Sequence, residues 1–103
     1  MLNLINIGKT WEVMLLDGEV IHIKKPTQGQ LIKLYKMADD FESGKNVNEL
    51  KQLNNIVKNI LNNNTENKSF DDKYITDNLT IDHLYALFEG YMQFIAEIET
   101  SPN

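Results

Sequence analysis

The sequence predicts an α+β domain, mostly helical, in which an N-terminal β-hairpin of two or three strands packs with three principal α-helices. Three observations carry this. Asp17-Gly18 separates two short apolar runs, and Asp-Gly between such runs is among the strongest local hairpin signals. Three later stretches repeat apolar residues at helical spacing. The chain has 103 residues, 42% of them apolar, which suits one modest core and is too short for two. A single domain is expected over residues 1–99, with the hairpin at 10–24, helices at about 27–43, 48–62 and 80–98, and a flexible tail at 100–103.

The hairpin strands are Thr10 to Leu16 and Glu19 to Lys24. Pairing Leu16 with Glu19 across a two-residue turn puts Trp11, Val13, Leu15, Val20, His22 and Lys24 on one face. Glu12, Met14, Leu16, Glu19, Ile21 and Ile23 then share the other. Both faces are substantially apolar, so both call for cover, from the chain itself or from a partner. Asn3 to Ile7, ahead of Gly8, is the candidate third strand.

Pro26 ends the hairpin, and Thr27-x-x-Gln30 has the form of a capping box. Leu31, Leu34, Tyr35, Ala38 and Phe41 follow as one apolar stripe, and Gly44 is placed to stop the helix. Asn48 can cap a second helix, which buries Leu50, Leu53, Val57, Ile60 and Leu61. Its solvent side carries Lys51, Gln52, Asn55, Lys58 and Asn59. Residues 62–69 contain no apolar side chain and are expected as a mobile loop. Asp71-Asp72 suits the start of a short helical turn through Ile75, where negative charge is favoured. Thr80 opens the last helix, with Leu79 before it as a hydrophobic staple and a stripe of Ile81, Leu84, Tyr85, Phe88, Tyr91, Met92, Ile95 and Ile98.

Charge narrows the function classes. Residues 1–68 hold nine Lys against eight acids, a net of +1, whereas residues 69–103 hold one Lys against seven acids, a net of −6. There is no Arg, the residue that nucleic-acid readers use for bidentate contacts, and the acidic last third repels phosphate. Nucleic acid is not an expected partner. With no Cys, disulfides, thiol nucleophiles and cysteine-ligated zinc are excluded. No apolar run is long enough to span a membrane, and the first residues lack the basic lead of a signal peptide. The chain is expected to stay in the compartment where it is made.

Candidate chemistry is sparse. His22 sits in mid-strand, and His83 has only Asp82 nearby, which points elsewhere on the helix. Asp39-Asp40 and Asp71-Asp72 are adjacent pairs, and adjacent helical residues diverge by about 100°, so neither pair makes a shared proton or metal site. No phosphate loop, nucleophile elbow or calcium loop is present. The expectation is a protein-binding domain without catalytic, cofactor or metal sites.

The last helix carries the candidate binding residues. Beside its main stripe, His83, Leu87, Gly90 and Phe94 recur along one flank. The combined apolar arc covers about half the circumference, more than one-sided burial requires. Gly90 in mid-helix costs about 1 kcal/mol relative to Ala, for which a close approach to its backbone is a reasonable compensation. Two readings follow. Either the first two helices clasp this one from two sides, or the flank faces a partner or a second copy of the chain.

The order of parts is a short hairpin, Lys25-Pro26-Thr27 into a first helix, a second helix, a polar loop and an acidic amphipathic helix. In a chain of this length it resembles the small tail assembly chaperones of long-tailed (siphovirus) phages and prophages. The matching stretches are Leu16 to Glu19 through Thr27, Ile56 to Leu61 with its polar loop, and Leu79 to Leu84 leading into the last helix. The resemblance implies a non-enzymatic factor of the bacterial host cytoplasm that is absent from the mature virion. It would bind the tape measure protein and the tail tube protein during tail assembly. Self-association is expected from the broad apolar faces. Proteins of this family are often made in two lengths through a −1 ribosomal frameshift. Ser101-Pro102-Asn103 is compatible with a C-CCA-AAC or C-CCA-AAU slip, as are many other dipeptides. The alternative reading is a small prophage regulatory or antitoxin-like protein acting through protein contacts, which the acidic last helix disfavours as a DNA reader.

Overall fold

The computed structural model describes residues 1–39 and 47–97. Phe41 and Gly44 of the first expected helix, Asp40 of the first acidic pair, Ile98 and the tail at 100–103 lie outside the described residues. Strands β1 (Trp11–Met14) and β2 (Val20–Ile23) form an antiparallel hairpin, and four helices follow: α1 (Gln28–Asp39), α2 (Val47–Asn62), α3 (Asp72–Asn78) and α4 (Ile81–Ala96). This is the expected α+β class, with the short turn after Asp71 grown into a helix of its own. No helix among the described residues is long and apolar enough to cross a membrane.

The hairpin register differs from the expected one by a residue. Trp11 pairs with Ile23 and Val13 with Ile21, and the Leu15 N–H donates to the Glu19 carbonyl at 2.7 Å. The loop therefore has three residues, Leu16-Asp17-Gly18. Gly18 takes a φ of 88°, its N–H bonds back to the Leu15 carbonyl at 2.9 Å, and the Asp17 carboxylate accepts the Glu19 N–H at 2.9 Å. One glycine at positive φ suffices here, whereas a two-residue type I′ turn needs two such residues. A slip of one residue moves every β2 side chain to the opposite face relative to β1. Trp11, Val13, Ile21 and Ile23 now share the inner face, with Ile21 and Ile23 fully buried. His22 is left to the outer face, where its polar ring meets polar partners.

The candidate third strand at Asn3 to Ile7 is instead a single 3-10 turn, Leu4–Asn6, where the Asn3 side chain accepts the Ile5 N–H at 3.0 Å. The outer edge of β2 is already taken, by residues that looked unstructured in sequence. Lys24 N–H donates to the Asn63 carbonyl at 2.8 Å and Thr65 N–H to the His22 carbonyl at 2.9 Å, around a bridge between Ile23 and Asn64. The stretch expected as a mobile loop is thus a built turn. Its asparagines replace missing backbone partners. Asn62 exchanges two bonds with the main chain of Phe70, at 2.7 and 3.0 Å. Asn64 is only 4% exposed, donates to the carbonyls of Leu61 and Lys68, and accepts the Lys68 N–H.

Helix starts follow side-chain chemistry. Thr27 and Gln30 exchange the reciprocal bonds of a capping box at 2.9 and 3.3 Å. Asp71 caps α3 by accepting the Tyr74 N–H at 2.8 Å. Asn48 lies inside α2, one residue after its first, so it does not cap that helix. The central helix is α2, which packs against α1, α3, α4 and β2. Leu53, Ile56, Val57, Ile60 and Leu61 form its buried face, each worth about 2 kcal/mol of apolar burial. In α1 only Leu34 is buried, while Tyr35, expected in the stripe, is exposed.

The turn makes a stability prediction. Asn64→Ala leaves three main-chain groups around a buried site without partners and should cost about 2–4 kcal/mol. Asn59→Ala removes one bond on an exposed helix face and should change stability by less than about 0.5 kcal/mol. Chemical denaturation of both variants checks the contrast.

Candidate functional site

The flank of α4 that carries the sequence-derived candidates meets the hairpin, not α1. Trp11 reaches from β1 across the helix, and its indole lies where a side chain on residue 90 would stand. A Cβ built on Gly90 would fall 2.6 and 2.9 Å from two ring carbons of Trp11, inside any tolerated contact. This is the close approach that the mid-helix glycine called for. The ring also sits with Tyr91 and Phe94, at centroid separations of 6.2 and 6.3 Å, and Lys25 Nζ lies 5.1 Å from the Phe94 centroid. Phe94 is 5% exposed. Gly90 and Phe94 are therefore occupied within the chain, and the arc of α4 is covered by the hairpin on one side and α2 on the other.

His83 and Leu87 have a different setting. His83 is the third residue of α4, and its Nδ1 accepts the Thr80 N–H at 3.0 Å while Thr80 Oγ1 accepts the His83 N–H at 3.3 Å. The histidine thus stands where Glu or Gln usually completes a capping box. Both residues line an open apolar groove of about 280 Å³ between β1 and the α3–α4 corner. Its floor is the buried Leu61, and Leu79, Ala86 and Leu87 form the far wall. Met14 and Leu16, 71% and 59% exposed, stand on the near lip. Sequence reasoning missed these two, since the slipped register had assigned them to a face with Ile21 and Ile23.

On the outer face of the hairpin, His22 joins β2 to the asparagine turn. Its N–H donates to Glu66 Oε1 at 2.9 Å, and its ring Nδ1 donates to Glu66 Oε2 at 2.7 Å. Thr65 Oγ1 donates to the same oxygen at 3.0 Å. These donors, the His22 main-chain N–H foremost, hold the Glu66 carboxyl down at about 2. Glu19 and Lys68 form an ion pair between hairpin and turn. Among the described residues no group of three His, Asp or Glu side chains is placed to hold a metal ion.

No family model, curated protein or solved structure matches this chain. The functional reading rests on the groove, its exposed lip and the order of parts.

Two predictions follow from these contacts. Gly90→Ala adds helix propensity but drives a methyl into the Trp11 ring, so the expected outcome is a net loss of about 1–2 kcal/mol with displaced indole fluorescence. In a Trp11→Ala background the same change should become stabilising by about 1 kcal/mol, a sign reversal that a double-mutant cycle reads directly. The second concerns acid. A carboxyl depressed in the folded state contributes stability above its ordinary value of 4.5, and loses it as pH falls from there towards about 2. Denaturation midpoints should drop across that window in the wild type, and drop less in Glu66→Gln.

Proposed function

We propose that this chain is a phage or prophage tail assembly chaperone that binds the tape measure protein and tail tube subunits while a tail is built. The observation that carries the reading is the pair of exposed apolar side chains, Met14 and Leu16, standing over the groove floored by Leu61 and walled by Leu87. Large apolar side chains displayed beside an open apolar groove mark a binding surface. The order of parts, hairpin to capped helix to polar turn to acidic helix, supports the family resemblance drawn from the sequence.

The physical task suits such a surface. A long apolar protein must be kept from self-association until a tube encloses it, and shallow grooves on a small domain cover it reversibly. On this reading the chain works in the host cytoplasm, has no catalytic role and is left out of the finished virion. It exchanges partners through the same exposed apolar residues.

Co-expression tests this. The wild-type chain should keep a tape measure protein soluble, and Leu16→Asp should reduce the recovered soluble complex by about tenfold while leaving the domain folded. Phe94→Asp should instead unfold it, since that charge would be buried. A tape measure protein that stays equally soluble with Leu16→Asp, or precipitates with the wild type, counts against the reading. So would a gene neighbourhood without a tail tube gene upstream and a very long tape measure gene downstream.

A further inference from the structure

The two edges of the hairpin are treated differently. The edge of β2 is closed by Asn63 and Thr65, whereas β1 lies at the margin of the sheet. The bond from Leu15 N–H to Glu19 fixes the phase of the ladder, so Trp11, Val13 and Leu15 direct their main-chain groups at β2. Glu12 and Met14 direct theirs outward. Among the described residues no main-chain group pairs with them.

The apolar groove runs along this same edge. Six consecutive residues, Trp11 to Leu16, line it. Successive side chains of a strand point to opposite faces, so a cavity touching all six follows the strand's margin and does not sit over one face. An unpaired strand edge beside an apolar trough is the arrangement that accepts an added strand.

The charges around it select the occupant. Glu12 is exposed on the edge strand itself, and Asp82 and Glu89, both exposed, flank Ala86 on the α4 wall. Among the described residues no lysine lines the trough. A second copy would bring its own Glu12 and another net charge of −5 to the same place. We infer that the β1 edge is a strand-addition site for an extended segment of another protein, with apolar side chains at alternate positions and Lys or Arg between them. The apolar set enters the groove over Leu61 and Leu87, the basic set meets Glu12 on the outer face, and the Glu12 and Met14 main chains supply the ladder. This inference does not depend on the tail-assembly reading, because it concerns the form of the bound segment and not the protein that carries it.

A short synthetic peptide alternating Val and Lys is the probe, with amide hydrogen exchange as the readout. Binding should protect the Glu12 and Met14 amides, which have no main-chain partner in the unbound chain among the described residues. N-methylation of the alternate peptide amides that face β1 should abolish binding, while methylation of the other set should leave it intact. Glu12→Lys should weaken the peptide by about tenfold or more. Met14→Pro removes an outward N–H that the hairpin does not use, so it should keep the fold and lose the peptide. Failure of the unmodified peptide to bind overturns the inference, as does binding that survives N-methylation or Met14→Pro. Protection of Glu12 and Met14 that rises with protein concentration alone overturns it too, since the occupant is then a second copy.

Discussion

A two-stranded ribbon is marginal in water, and this domain is arranged to make β2 an interior strand. Ile21 and Ile23 are driven fully into the core over α2, one edge of β2 pairs with β1, and the other is closed by the turn that leaves α2. Everything else is placed by that arrangement. The turn must present Asn63 and Thr65 at the right height, so α2 ends at Asn62 and Asn64 is buried to fix the bend. Trp11, held in register by Ile23, then falls across α4 and requires Gly90 beneath it. The hairpin is small, yet the position of the last helix depends on it.

The features legible in the sequence were those written in local chemistry. Thr27 with Gln30, Asp71 and Thr80 each announce a helix start through a side chain that satisfies backbone donors nearby, and each does so here. The apolar period of α2 foretold its buried face almost residue by residue. The Asp17-Gly18 turn located the hairpin but not its register, because one glycine at positive φ serves a three-residue loop as well as a two-residue one. That single ambiguity reversed the faces of β2. Tyr35 and Ile81 satisfied a helical stripe yet remain exposed, since periodicity gives the direction of a face without saying what will cover it.

The parts that were not legible depend on pairing across the chain. Asparagines between residues 62 and 70 read as a solvated linker because they lack apolar side chains. Their role as surrogate backbone emerges only when β2 lies alongside. His83 was weighed as a ligand and as a partner contact, but its ring accepts a main-chain N–H at the helix start, a task the usual capping signature assigns to Glu or Gln. Gly90 was correctly suspected of a close approach, while the approaching group, Trp11, sits far away in sequence. Of the four residues singled out on α4, Gly90 lies against the Trp11 ring and Phe94 is buried, whereas His83 and Leu87 border the apolar groove.

The wiring of β2 also bears on synthesis. His22 and Glu66 are 44 positions apart, and the residues that close the second edge of the strand are translated long after the strand itself. A nascent chain that has emerged only as far as α1 carries a ribbon with both margins open and Ile21 and Ile23 without their floor. Closing so long a loop costs entropy that only the completed α2 and its asparagine turn offset. Until residue 66 clears the ribosome, both margins of the hairpin stay open to pairing with other chains. The β2 edge is closed only by sequence that arrives after α2.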